Sequence, residues 1–95
     1  MAAYFIVDLE VTDSAAFEEY RKQVPATIEK YGGRFVVRGG TCETLEGDWH
    51  PKRVVVVEFP SMEQARRWYR SPEYAPLLAL RLKSSRSKLL LVEGV

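Results

Sequence analysis

Hydrophobic and polar residues alternate in several short segments of the chain, and this period of two predicts β-strands. In the first segment, Phe5, Val7 and Leu9 share one face, whereas Ile6 and Asp8 share the other. The predicted strands are residues 4–11, 34–38, 53–59 and 88–93, and residues 41–46 are expected to continue the second strand beyond Gly39-Gly40.

Apolar residues at spacings of three and four predict helices between these strands. One stripe consists of Phe17, Tyr20, Val24, Ile28 and Tyr31. Asp13 is its expected N-cap, Gly32 its expected C-terminal glycine, and Pro25 is expected to interrupt it. A second, broken helix is expected to start at the capping box Ser61–Gln64 and again at Ser71-Pro72.

The element order β-α-β-β-α-β predicts one α+β domain over residues 1–95, with a ferredoxin-like antiparallel sheet and two helices on one face. The other sheet face is expected to carry Ile6, Val36, Val54 or Val56, and Leu89 or Leu91. Such an apolar face is large for a monomer. We therefore expect a homodimer packed sheet to sheet, a dimeric α/β barrel, and the alternative is a monomer with a partly hydrated sheet.

Five segments of the chain resemble the family called Domain of Unknown Function 1330. They are YGGRFVVRGG, LEGDW, VVEFPS, WYRSPEY and LVEGV, and the similarity extends from about residue 4 to the C-terminus. The resemblance implies the dimeric α/β-barrel superfamily, whose members include cofactor-free monooxygenases, lactone isomerases and haem proteins. It implies no activity and no functional residues for this chain.

Charge and composition exclude several classes of partner. The formal net charge is +1, which argues against a dedicated nucleic-acid-binding protein, and no segment is long and apolar enough to suggest a membrane partner. A basic C-terminal third, Arg66 to Lys88, is interpreted as a solvated face. The N-terminus lacks the basic region of a signal peptide, so we expect a cytoplasmic protein.

The chain has too few soft ligands for a metal site. It contains one cysteine, Cys42, and one histidine, His50, which lies in a predicted turn. A structural zinc site needs four such ligands, and a turn is a poor position for a haem ligand. The sequence therefore predicts no metal and no cofactor.

Charged residues near the ends of apolar strands are the candidate site residues. Asp8, Glu58 and Arg38 are the catalytic candidates and Glu93 is a ligand-binding candidate, and all four are expected on the barrel face. A charge on an inner face is costly unless it is paired or hydrated. These groups therefore either line a cleft suited to acid–base chemistry or a small polar ligand, or form structural ion pairs across the dimer.

The aromatic residues Trp68 and Tyr74 flank the break in the second helix. Aromatic residues at such spacing form either core or pocket walls, and both are secondary ligand-binding candidates. Two functions follow from the sequence. One is the binding or transformation of a small polar or aromatic molecule between sheet and helices, with cofactor-free acid–base or oxygenase chemistry. The other is a non-catalytic binding or interaction module.

Overall fold

The fold is a four-stranded sheet covered on one face by three helices. The computed structural model describes residues 1–95, the whole chain. Its elements are β1 (Ala3–Val11), α1 (Ser14–Lys30), β2 (Arg34–Arg38), β3 (Arg53–Phe59), α2 (Met62–Tyr69), α3 (Ala75–Ser84) and β4 (Ser85–Glu93). The second predicted helix is thus present as two pieces, α2 and α3.

All neighbouring strands of the sheet are antiparallel, in the order β2-β3-β1-β4. The first strand of the chain therefore lies at the centre, between the third and the fourth. This topology confirms the predicted α+β, ferredoxin-like class.

The helix-facing side of the sheet forms the core. Ala3, Phe5, Val7 and Leu9 of β1 are all buried, as the alternation predicts. Phe5 contacts the rings of Phe59 and Trp68 at centroid distances of 5.9 and 5.2 Å, both edge to face. Burial of such aromatic side chains supplies much of the folding free energy of a small domain.

The other side, called the open face here, carries one apolar row across all four strands. The register places Val37, Val56, Ile6 and Leu90 side by side.

The expectation of Leu89 or Leu91 on this face is wrong, since both pair with inward-facing residues of β1. Leu90 and Val92 are the residues of β4 that point outwards. β4 also begins at Ser85 rather than at Lys88.

The first helix is continuous. Asp13 accepts a hydrogen bond from the backbone N–H of Ala16, as expected of an N-cap, and Gly32 follows the helix with φ +83°. The predicted interruption at Pro25 is wrong. The buried side chains of Phe17, Val24 and Ile28 lie on both sides of Pro25, and their packing holds one helix together.

A serine side chain caps helix α2, whereas helix α3 has no side-chain cap and follows a turn held by a second serine. The hydroxyl of Ser61 accepts from the backbone N–H of Gln64, but the Gln64 side chain donates to the carbonyl of Tyr31, so only half of the capping box forms. The Ser71 hydroxyl accepts from the backbone N–H of Tyr74 at 3.1 Å, and helix α3 begins after this turn, at Ala75.

Residues 39–52 form an irregular connection between β2 and β3. The expected strand over residues 41–46 is wrong, because the last ladder bond runs from Gly39 N–H to the carbonyl of Val54 and residues 41–46 are all exposed. The connection instead returns along the open face, where the indole of Trp49 reaches Asp8.

Candidate functional site: a cavity between the sheet and the helices

A narrow cavity of about 60 Å³ lies between the helices and the inner face of the sheet. Thirteen of its seventeen lining residues are hydrophobic, and the other four are arginines. The hydrophobic residues are Phe5, Val7, Leu9, Phe17, Tyr20, Val24, Ile28, Phe35, Val55, Val57, Trp68, Tyr74 and Leu89. A mostly apolar cavity with a few polar groups is typical of small-molecule sites.

Trp68 and Tyr74 both line this cavity, on the side of the helices. Their rings pack at a centroid distance of 4.1 Å, and both residues are buried. The indole N–H of Trp68 donates to the hydroxyl of Thr27 at 3.0 Å, so its polar atom is satisfied within the protein. The interpretations of these aromatic residues as core and as pocket wall are therefore compatible, because Trp68 and Tyr74 are buried core residues that also line the cavity.

A chain of hydrogen bonds joins the polar atoms at the cavity wall. The hydroxyls of Tyr20 and Tyr74 lie 3.0 Å apart, and the Nε–H of Arg81 donates to the Tyr74 hydroxyl at 3.2 Å. Burial, followed by the neighbouring Tyr74, raises the pKa of Tyr20 far above its ordinary value. Tyr20 is therefore a neutral hydroxyl at physiological pH.

Arg81 is a buried cation without a carboxylate partner. It is only 4% exposed and lies on the inward stripe of α3 with Leu77 and Ser84. Besides Tyr74 it donates through Nη1 to the hydroxyl of Ser87 at 2.5 Å, and no carboxylate lies within 4.0 Å. The interpretation of Arg81 as part of a solvated basic face is wrong, because α3 turns this position towards the sheet.

Two further arginines reach the cavity from the β2–β3 edge. Arg53 is half-buried, and its Nε is buried without any hydrogen-bond acceptor. A Cβ at Gly39 would lie only 2.6 Å from the guanidinium carbon of Arg53, so the absence of a side chain there makes room for it. Arg38 stacks its guanidinium over the Phe35 ring at 4.5 Å from the centroid.

The cleft predicted for Asp8, Glu58 and Arg38 does not form, because the three residues lie on two faces of the sheet. Asp8 pairs with Val54, and Glu58 with Tyr4, both on the open face. Arg38 pairs with Val55 on the helix-facing side. A register shift between Phe35 and Val37 adds one residue to β2, and a one-residue shift moves every later side chain to the opposite face.

Glu58 belongs to an ion pair on the open face. Arg34 donates to Glu58 at 2.7 Å and the Tyr4 hydroxyl donates to it at 3.0 Å. The hydrogen bond from Arg34, followed by that from Tyr4, holds the pKa of Glu58 below its ordinary value. Glu58 therefore forms a structural ion pair, but within one chain rather than across a dimer as the alternative expects.

Glu93, the remaining candidate, lies at the exposed end of β4, opposite Ala3. It shares the parity of Leu89 and Leu91 as predicted, but that face is the helix-facing one and the cavity does not extend to Glu93.

No cluster of ligands suited to a metal ion is present. No three His, Cys, Asp or Glu side chains converge, and His50 and Cys42 are both exposed in the 39–52 connection. No helix is long and apolar enough to cross a lipid bilayer.

The spacing of residues along α3 is a weak sequence indication that Arg81 is buried. Arg81 follows Leu77 by four residues and precedes Ser84 by three, which is the spacing of the buried stripe on α3. Arg53 carried no comparable indication, since it begins a strand and its burial depends on Gly39 from a separate segment.

The chain belongs to the family described as "Domain of unknown function (DUF1330)", whose profile matches residues 2–95. This confirms the resemblance seen in the sequence. None of the curated proteins matches the chain.

Several solved structures share the fold. A protein of unknown function from Rhodopseudomonas palustris has 19% identity and a TM-score of 0.79, over 99% of this chain and 82% of its own. SnoaB, a cofactor-independent oxygenase from Streptomyces nogalater, has 20% identity and a TM-score of 0.67, over 99% and 93%. An uncharacterized NIPSNAP domain protein from Burkholderia xenovorans has 10% identity and a TM-score of 0.60, over 100% and 95%. At these identities the likeness establishes the fold alone.

Proposed function

We propose that this protein binds a small aromatic molecule in the cavity between its sheet and its helices. The observation that carries the proposal is the lining, which combines the rings of Phe17, Tyr20, Phe35, Trp68 and Tyr74 with a few polar donors. Aromatic walls hold planar ligands through burial and ring stacking, and the polar groups fix orientation. The small volume means that ligand entry requires side chains at the mouth, such as the exposed Arg21 and Arg38, to move.

The class of reaction that best suits this site is cofactor-free oxygenation of the bound molecule. In support, SnoaB, which shares the fold over almost the whole chain, is named as a cofactor-independent oxygenase. The cavity lining contains no histidine, cysteine, aspartate or glutamate, so acid–base chemistry by a cavity carboxylate is disfavoured. The alternative function, a binding module without catalysis, uses the same cavity and differs only in dioxygen consumption.

We further propose that the open face packs against the same face of a second copy. The row Val37, Val56, Ile6 and Leu90 is apolar, and Leu90 is 55% exposed. Charges of both signs flank it, with Arg34 and Glu58 on one side and Asp8 and Lys88 on the other. A two-fold contact brings each patch against its own copy, and a patch with both signs can complement itself.

The binding proposal is tested by filling the cavity with a larger side chain on β3. Val55 lines the cavity, whereas the adjacent Val54 points to the open face, so Val55→Phe and Val54→Phe form a matched pair. We expect indole and 2-naphthol to shift amide resonances of cavity residues in wild type and Val54→Phe, and to bind Val55→Phe much more weakly. Resonance shifts confined to the open face would contradict the binding proposal. Dioxygen consumption in the presence of 2-naphthol, measured with an oxygen electrode, distinguishes oxygenation from binding without catalysis.

A further inference from the structure

All four charged residues of the cavity are arginines, although the chain as a whole is balanced. It has 14 Lys and Arg against 13 Asp and Glu, yet no acidic residue lines this space. A recess with charges of one sign and low-dielectric walls concentrates a potential of that sign. We propose that the bound aromatic molecule is an anion, a carboxylate or a related planar organic acid, whose charged group is held by Arg81 and Arg53. This inference rests on the proposed function, since it names the ligand class of the same cavity.

The surroundings of Arg81 support an anionic partner. Its Nε and Nη1 donate to two neutral hydroxyls, those of Tyr74 and Ser87, and its Nη2 donates to no protein acceptor. A guanidinium is rarely this buried without a carboxylate, because removing its charge from water is costly unless an opposite charge replaces the lost hydration. A ligand carboxylate at Nη2 supplies that charge.

Arg53 provides a second, independent indication. Its Nε is buried and has no acceptor, which is unusual because buried donors are nearly always satisfied. The fork of N–H groups on a guanidinium matches the two oxygens of a carboxylate. Gly39, with φ +72° and no side chain, leaves the Arg53 guanidinium in place at the cavity.

Arg21 and Arg38, the other two cavity arginines, lack these indications of an anionic ligand. Arg21 is exposed and pairs with Glu18 at 3.5 Å, and Arg38 is exposed and stacked on Phe35. Arg81, which is 4% exposed, and Arg53, whose Nε is buried, are therefore the cavity arginines that combine burial with an N–H group lacking a protein acceptor. The aromatic wall formed by Trp68 and Tyr74 lies beside Arg81 and accommodates the ring of the ligand.

The test compares ligands that differ only in charge. Salicylate with salicylamide, and 2-naphthoate with 2-naphthamide, are titrated into wild type, Arg81→Met, Arg53→Met and Arg66→Met. Binding is followed by calorimetry and by the arginine Nε–Hε resonances. Methionine keeps much of the apolar stem volume, and Arg66 is an exposed arginine without an ion pair, which makes its variant the matched control. If Arg81→Met does not fold, the contribution of the arginines to anion binding is still measured by Arg53→Met and by the shift of the Arg81 Nε–Hε resonance in wild type.

We expect each anion to bind wild type about tenfold or more tightly than its amide, because charge-assisted hydrogen bonds are the stronger ones. The preference should shrink towards onefold in Arg81→Met and Arg53→Met and persist in Arg66→Met. Equal binding of anion and amide in the cavity would overturn this inference but leave the proposed function standing. An anion preference that survives both cavity variants would also overturn it. Failure of all four probes to bind would overturn both proposals.

Discussion

The indole Nε1–H of Trp49 donates a hydrogen bond to Oδ2 of Asp8 at 2.7 Å, and this bond fixes the long β2–β3 connection against the centre of the sheet. Trp49 is 57% exposed and has no other side-chain anchor on β1. Asp8, a catalytic candidate from the sequence, thus accepts a structural hydrogen bond on the open face.

Replacement of Asp8 by alanine should release this connection. We expect Asp8→Ala to lose about 1 kcal/mol of stability and to accelerate amide exchange across residues 39–52, whereas Asp8→Asn keeps a side-chain acceptor and most of the protection. Hydrogen exchange and Trp fluorescence measure both effects. Glu46→Ala, an exposed position in the same connection, is the control, and equal exchange in Asp8→Ala and Glu46→Ala would contradict the assignment.

The open face should hold two copies of the chain together. Light scattering at micromolar concentration is expected to give about twice the 10.9 kDa chain mass, and Ile6→Lys or Val56→Lys should reduce it to one chain, because both side chains lie in the apolar row. Ala79→Lys, on the exposed side of α3, should remain dimeric. A wild-type protein that runs as a single chain and melts cooperatively would refute the dimer.

The ion pair at the end of α1 should make stability depend on acid pH. Lys30 and Tyr31 both donate to Glu73, and the hydrogen bond from Lys30, followed by that from Tyr31, lowers the pKa of Glu73 from 4.5 to about 2. Because the folded-state pKa is the lower one, the stabilisation is fully present above about pH 4.5 and is lost as pH falls towards 2.

The variant Glu73→Gln tests this dependence. The difference in unfolding free energy between wild type and Glu73→Gln, from urea titrations, should be largest near neutral pH and should shrink below pH 4.5. Glu46→Gln, which removes an unpaired exposed carboxylate, should show a nearly constant difference. A Glu73→Gln difference that does not change with pH would exclude the ion pair as its cause.

Gly39 should be less replaceable than its neighbour Gly40. Gly39 has φ +72° and lies against Arg53, whereas a Cβ at Gly40 would meet nothing within 4 Å. We expect Gly39→Ala to cost about 1–2 kcal/mol and to shift the Arg53 Nε–Hε resonance, and Gly40→Ala to be nearly neutral. Thermal melts and arginine-selective spectra provide the measurement, and equal stabilities of the two variants would show that the Gly39 backbone is not constrained.

Local patterns determined much of the fold. The alternation in β1 assigned Phe5, Val7 and Leu9 to the core, because a strand side chain has only two directions and burial selects one. The stripe from Phe17 to Ile28 predicted the buried face of α1 for the same kind of reason. Asp8 and Glu58 were correctly placed on one face with Ile6 and Val56.

The candidate site was decided by tertiary structure. Arg38 lies on the helix-facing side rather than on the predicted face because β2 contains one extra residue at a bulge. Such a bulge depends on the pairing with β3 rather than on the sequence of β2 alone. Arg81 became a cavity residue because α3 packs onto the sheet at that position. Periodicity predicts which residues share a face of one element, but a cavity forms where several elements fail to fill the space between them, and only their packing determines where that space lies.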